Sequence, residues 1–68
     1  MRIKVFYDRE KSEKAIELGN DSNVHDLLEK MKINPEIVIV SRNKDIILKE
    51  EKLKDNDSIR LTSVISGG

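Results

Sequence analysis

The sequence predicts an α+β fold, a mixed sheet of four to five strands with one helix packed across it. Three features carry this expectation. Apolar and polar residues alternate near both ends of the chain, in Met1, Ile3, Val5 and Tyr7 and again in Ile59 and Leu61, which is the period of a half-buried strand. Between them Val24, Leu27, Leu28 and Met31 recur at i, i+3, i+4 and i+7, the stripe of an amphipathic helix. Ile37-Val38-Ile39-Val40 is an unbroken β-branched run, long enough for a strand covered on both faces or aligned with a partner strand.

The elements follow in order. A first strand is expected from about Met1 to Asp8. Arg9-Glu10-Lys11-Ser12 is a polar break, and Ala15-Ile16-Glu17-Leu18 alternates again, so a tight turn makes it the antiparallel hairpin partner, ending at Gly19. Asn23 is the best helix N-cap, because Asp26 three positions on completes a capping-box arrangement and carries negative charge at the positive helix end. The helix should run for about nine or ten residues and stop at Asn34-Pro35, since a residue before proline is biased away from helical geometry.

After the β-branched run, Arg42-Asn43-Lys44 turns the chain into a brief Ile46-Ile47-Leu48 strand. Leu53 is the one apolar side chain in the charged stretch from Glu50 to Asp57 and is expected to plug that loop into the core. Asp55-Asn56-Asp57 makes the last turn, where asparagine tolerates left-handed geometry. The final strand carries Ile59, Leu61 and less clearly Ile65 inward. This order places the first and last strands as parallel neighbours at the sheet centre and is that of the β-grasp, or ubiquitin-like, arrangement. Residues 1–65 read as a single domain and residues 66–68 as a flexible C-terminal tail.

Composition narrows the chemistry. A chain of 68 residues buries only about 60% of the surface its unfolded form exposes, and with no cysteine and one histidine it lacks the usual staples of a small core. Without cysteine there is no thiolate nucleophile, iron–sulfur cluster or Cys-based zinc site, which excludes the plant-type ferredoxins that share the β-grasp scaffold. Thirteen basic and thirteen acidic side chains cancel and are interleaved, so no basic footprint for nucleic acid is present. The N-terminus lacks the apolar stretch of a signal peptide, and no segment approaches membrane-spanning length; a cytoplasmic location with no membrane partner is expected. His25, alone in the first turn of the helix, reads as a solvated side chain rather than a base or ligand. The nine lysines read as a solvated surface before they read as acceptors for a modifier.

The candidate site is the end of the chain. Two of the three glycines are Gly67 and Gly68, and at a glycine usage of about 7% a random chain ends in Gly-Gly in fewer than about 1% of cases. A frayed terminus or cloning scar is the bland reading. The functional one is steric: without Cβ the backbone passes a narrow channel and carries its carboxylate into another protein's active site. A carboxylate is a poor electrophile, so the expected first step is its attack on the α-phosphate of ATP. The sequence has no phosphate loop, so the ATP site belongs to a partner and this chain is substrate, not enzyme; no cofactor or metal of its own is expected.

A second candidate is the open sheet face. Alternation that turns Ile3, Val5, Ile59 and Leu61 inward turns Phe6, Thr62 and Val64 outward, with one of the pairs Ile37/Ile39 or Val38/Val40. These, with Ser66, form a candidate partner surface; the alternative is that a lone outward aromatic is ordinary surface.

Val24-His25-Asp26-Leu27-Leu28 after a cap, Leu53-Lys54-Asp55-Asn56-Asp57-Ser58-Ile59 before the last strand, and the ending Val64-Ile65-Ser66-Gly67-Gly68 resemble the MoaD/ThiS sulfur-carrier family and equally the archaeal small ubiquitin-like modifiers. The likeness spans essentially the whole chain; Asn56 stands where glycine is common. It implies that Gly68 is adenylated by a separate ubiquitin-activating-like enzyme. One branch then converts it to a thiocarboxylate for sulfur transfer to a molybdopterin or thiamine precursor, or to tRNA, through a sulfur-acceptor enzyme. The other joins it to target-protein lysines. A plain β-grasp interaction module is the third reading.

Overall fold

The computed structural model describes residues 1–64. It contains five strands, one α-helix and one 3-10 turn: β1 (Arg2–Tyr7), β2 (Ser12–Glu17), α1 (Val24–Lys30), the turn Pro35–Ile37, β3 (Val38–Arg42), β4 (Asp45–Ile46) and β5 (Ser58–Ser63). The strands form one mixed sheet in the order β2-β1-β5-β3-β4. β1 and β5 are parallel at its centre, with Val5 beside Ile59 and Tyr7 beside Leu61, and β3 runs antiparallel to β5 on the far side. This is the β-grasp arrangement expected from the element order.

One face of the sheet is closed by the helix. Ile3, Val5 and Tyr7 of β1, Val38 and Val40 of β3, and Ile59 and Leu61 of β5 are buried with Val24, Leu27 and Leu28 of α1 in a single core. Leu53 joins them at 5% exposure, and its N–H donates to the Ser22 carbonyl at 2.9 Å, so the charged loop is pinned as its lone apolar residue required. No polar side chain is buried among the described residues, as expected of a core this small that has nothing with which to satisfy one.

The helix start follows the capping box. The Asp26 N–H donates to Asn23 Oδ1 at 2.9 Å, and the Asn23 N–H donates to Asp26 Oδ2 at 3.0 Å. Its end corrects the expectation. α1 has 7 residues rather than nine or ten, and Asn34-Pro35 does not stop it. The chain leaves the helix at Lys32, whose φ is +58°; the Ile33 N–H donates to the Leu28 carbonyl at 2.9 Å and the Lys32 N–H to Glu29 at 3.0 Å. That pair of bonds is a Schellman motif. Asn34 and Pro35 instead open the 3-10 turn, where the Asn34 side chain accepts the Glu36 N–H at 3.0 Å.

Three strand boundaries also differ. β2 begins at Ser12 rather than near Ala15, because Ser12, Glu13 and Lys14 pair with Tyr7, Phe6 and Val5 of β1 although their side chains carry no apolar signal. The β-branched run is aligned with a partner strand, β5, rather than covered on both faces, and it starts late: Val38 and Val40 are buried, Ile39 is 39% exposed, and Ile37 belongs to the 3-10 turn. β4 stops at Ile46; Ile47 continues toward β3 with a single bond to the Val40 carbonyl at 2.9 Å.

Loop 49–57 is tied back by side chains. Arg42, at the end of β3, donates to the Lys52 carbonyl at 3.2 Å, to Asp57 Oδ2 at 3.3 Å and to Glu51 Oε2 at 3.1 Å. The Asp57 carboxylate also accepts the Lys54 N–H at 2.8 Å, and Asn56 takes the left-handed conformation expected of it, with φ of +69°.

Candidate functional site

The face of the sheet opposite the helix is built by the alternate residues of the same strands. Phe6 of β1 lies beside Arg60 of β5 in the parallel ladder, and the Arg60 guanidinium carbon stands 5.0 Å from the Phe6 ring centroid, within cation–π range. On the other side of β5, Ser41 is opposite Arg60 and Ile39 is opposite Thr62. Val64 follows two residues on and is 50% exposed. Phe6, Thr62 and Val64 therefore share the outward face as expected, and Ile39 is the member of the β-branched run that joins them. The result is an apolar strip with one cation laid over its aromatic ring.

Sequence reasoning missed Arg60 as a member of this surface. Its signal was present, since Arg60 alternates outward with Thr62 and the two central strands were expected side by side, but only the register tells which residue faces Phe6. A second exposed apolar pair, Ile46 and Leu48, lies on and just beyond the edge strand β4, where Ile46 is paired with Ser41, the residue opposite Arg60.

The strip ends where the chain approaches its terminus. β5 finishes at Ser63, and the Ser63 N–H donates to both carboxylate oxygens of Asp8, at 3.0 and 3.1 Å. The Val64 N–H donates to the Ile37 carbonyl at 2.8 Å. Ile65, Ser66, Gly67 and Gly68 lie outside the described residues, and with them the expected reactive glycines, one member of the candidate surface and the expected boundary between domain and tail.

His25 is exposed, and its backbone N–H, not its ring, makes the local bond, to the Lys49 carbonyl at 3.1 Å. Among the described residues no three His, Asp or Glu side chains gather as metal ligands do, and no helix is long and apolar enough to cross a membrane.

Comparison with known proteins adds the following. A model of the ThiS family matches residues 5–68. The sulfur carrier protein TtuB of Thermus thermophilus is 29% identical over 55 residues, covering 81% of this chain and 85% of that protein. Among solved structures, a candidate molybdopterin converting factor subunit 1 of Pyrococcus furiosus superposes with a TM-score of 0.78 at 25% identity, covering 94% of this chain and 98% of the other. SAMP1 of Haloferax volcanii superposes over the full length of both chains with a TM-score of 0.73 at 16% identity, which is a likeness of fold.

Proposed function

This chain belongs to the ThiS family, and from that premise we propose that it is a sulfur carrier whose Gly68 carboxylate is adenylated by a separate activating enzyme and then converted to a thiocarboxylate. A carboxylate oxygen of Gly68 attacks the α-phosphorus of ATP, the bond to the β-phosphate breaks, and pyrophosphate leaves. The acyl carbon, now joined to AMP, is attacked by a sulfur nucleophile and AMP departs, leaving a C–S bond at the terminus. The partner supplies the ATP site and the sulfur source. This chain supplies a glycine pair narrow enough to thread an active-site channel and a folded body by which the partner holds it.

The observation that carries this reading is the reach of the family match to residue 68, which takes in the Gly67-Gly68 pair; the similarity to a sulfur carrier protein of Thermus thermophilus supports the same class. Phe6, Ile39, Thr62, Val64 and Ser66 are the surface we assign to the activating enzyme, since an exposed apolar strip that follows β5 toward its end at Ser63 is a surface a partner can grip. A sulfur-acceptor enzyme would then receive the loaded carrier.

The test is intact mass spectrometry and a denaturing blot of the full-length protein and its Gly68-deleted form after expression in the native host. The carrier reading expects one oxygen replaced by sulfur in the full-length chain alone. Covalent ladders on other proteins without that exchange would make it a modifier joined to lysines, and identical behaviour of the two forms would leave an interaction module with an inert tail.

A further inference from the structure

We propose that Asp8 is a positioning residue for the activated terminus: its carboxylate holds the last strand in line up to Ser63 and so fixes the direction in which the chain leaves the sheet toward Gly68. The inference rests on the carrier reading above for its functional consequence, and on geometry alone for the clamp.

Parallel strands exchange evenly spaced, slanted hydrogen bonds. The ladder between β1 and β5 continues as far as the Asp8 N–H, which donates to the Leu61 carbonyl at 3.1 Å. The next rung would run from the Ser63 N–H to a backbone carbonyl of β1. That strand has ended: the chain turns back over residues 8–11, with the Glu10 and Lys11 N–H groups on the Tyr7 carbonyl at 3.1 and 2.9 Å. The Asp8 side chain supplies the missing acceptor, and both its oxygens lie within hydrogen-bond reach of the Ser63 N–H. Because the acceptor is ionised, this rung is about twice as strong as the neutral one it replaces.

On the opposite side the Val64 N–H is held by the Ile37 carbonyl at 2.8 Å. Consecutive residues are thus secured from opposite flanks, one by β1's side-chain substitute and one by the 3-10 turn, and a segment held on both flanks cannot swing about either. Four residues remain after Val64, a span of at most about 14 Å. Holding Ser63 and Val64 fixes the point from which those four residues start, and a misplacement of about 1 Å at a reacting atom costs on the order of a hundredfold in rate. We assign the clamp to the chemical step rather than to docking because both Asp8 oxygens are turned to the Ser63 N–H instead of being offered to a partner.

The experiment compares the unsubstituted chain, Asp8→Ala and Asp8→Asn. Amide exchange by NMR on the isolated proteins reads the clamp. Loss of a charge-assisted bond should speed exchange at Ser63 by about tenfold or more in Asp8→Ala, whereas Asp8→Asn, which keeps an acceptor oxygen, should retain most of the protection. ATP–pyrophosphate exchange with the host's adenylating enzyme reads the consequence: kcat falls by about tenfold or more in Asp8→Ala with KM for the carrier nearly unchanged, and Asp8→Asn recovers most of it. Unaltered Ser63 protection in Asp8→Ala overturns the clamp. Normal kcat despite lost protection, or a defect in KM alone, overturns the positioning role, as does Asp8→Asn behaving like Asp8→Ala. If the unsubstituted chain supports no exchange of pyrophosphate, the carrier reading itself fails and this role falls with it, while the amide data separately report whether the clamp exists.

Discussion

The guanidinium of Arg60 lies over the ring of Phe6, 5.0 Å from its centroid, on two strands that are neighbours in space and 54 positions apart in the chain. A cation held over an aromatic face on an open sheet contributes about 0.5–1 kcal/mol to the fold at such exposure. It does more for a partner: the Arg60 contact restrains the ring on the outward face that Thr62 and Ile39 also occupy, an aromatic anchor ordered before binding.

Replacing that anchor separates docking from chemistry. Phe6→Ser should raise KM for the carrier in the adenylation assay by about tenfold or more, the effect of truncating an aromatic interface anchor, while kcat stays close to normal, the opposite split from that expected of Asp8→Ala. Leu48→Ser removes an apolar side chain that is 71% exposed beyond the end of the edge strand β4, three strands from Phe6, and should leave KM as it was. Equal effects from the two serines would mean that the enzyme does not discriminate the Phe6 strip from any other exposed apolar group, and the assignment of that strip would be lost.

The centre of this fold was legible because its signals are local or doubled. β1 and β5 each alternate on their own, and the Asn23–Asp26 box is complete within four residues. Where the outcome depends on a neighbour, the sequence is silent. Ser12 to Lys14 enter β2 because β1 lies alongside, and Ile39 is turned outward because Val38 and Val40 on either side of it claim the core. Turns were the other gap. With three glycines in the chain, left-handed positions fall to Lys11, Asp21, Lys32, Asn43, Lys44 and Asn56. The asparagines advertise that conformation and the lysines do not, so the turn at Asn56 was foreseen and the helix end at Lys32 was not. Of the site, the outward strip followed from alternation, whereas Arg60 over Phe6 and Asp8 on Ser63 require the register of β1 against β5, which no single stretch contains.

Arg42 makes a different prediction, about stability. Its side chain is 19% exposed and that of Asp57 15%, so this pair is less screened than a surface ion pair, and Arg42 additionally covers the Lys52 carbonyl. Arg42→Met keeps the apolar stem and removes all three bonds; urea denaturation should report a loss of about 1–3 kcal/mol. Arg42→Lys should recover little of it, since one ammonium cannot reach three acceptors in the positions a guanidinium serves. Glu51, whose side chain is 46% exposed, should matter least, with Glu51→Gln costing below about 0.5 kcal/mol. A loss for Glu51→Gln as large as that for Arg42→Met would locate the clip in the solvent-facing ion pair instead of the half-buried one.

Lys32 tests how much the scarcity of glycine costs. A side chain in the left-handed region loses about 1–2 kcal/mol relative to the ordinary helical region, and glycine at a helix C′ position removes that penalty. Against this, glycine widens the unfolded ensemble by about 0.4–1 kcal/mol. The first effect exceeds the second, so Lys32→Gly should stabilise the protein by about 0.5–1 kcal/mol, a rise of several degrees in Tm for a domain of this size. Asn56→Gly, at a φ only slightly larger, should yield less, because asparagine already tolerates the conformation. Lys32→Ala, which keeps the Cβ, should be close to neutral and serves as the control for losing the charge. The ranking Lys32→Gly above Asn56→Gly above Lys32→Ala is the readout; if Lys32→Gly has the lowest Tm of the three, unfolded-state entropy governs this turn and the left-handed lysine is not a source of strain.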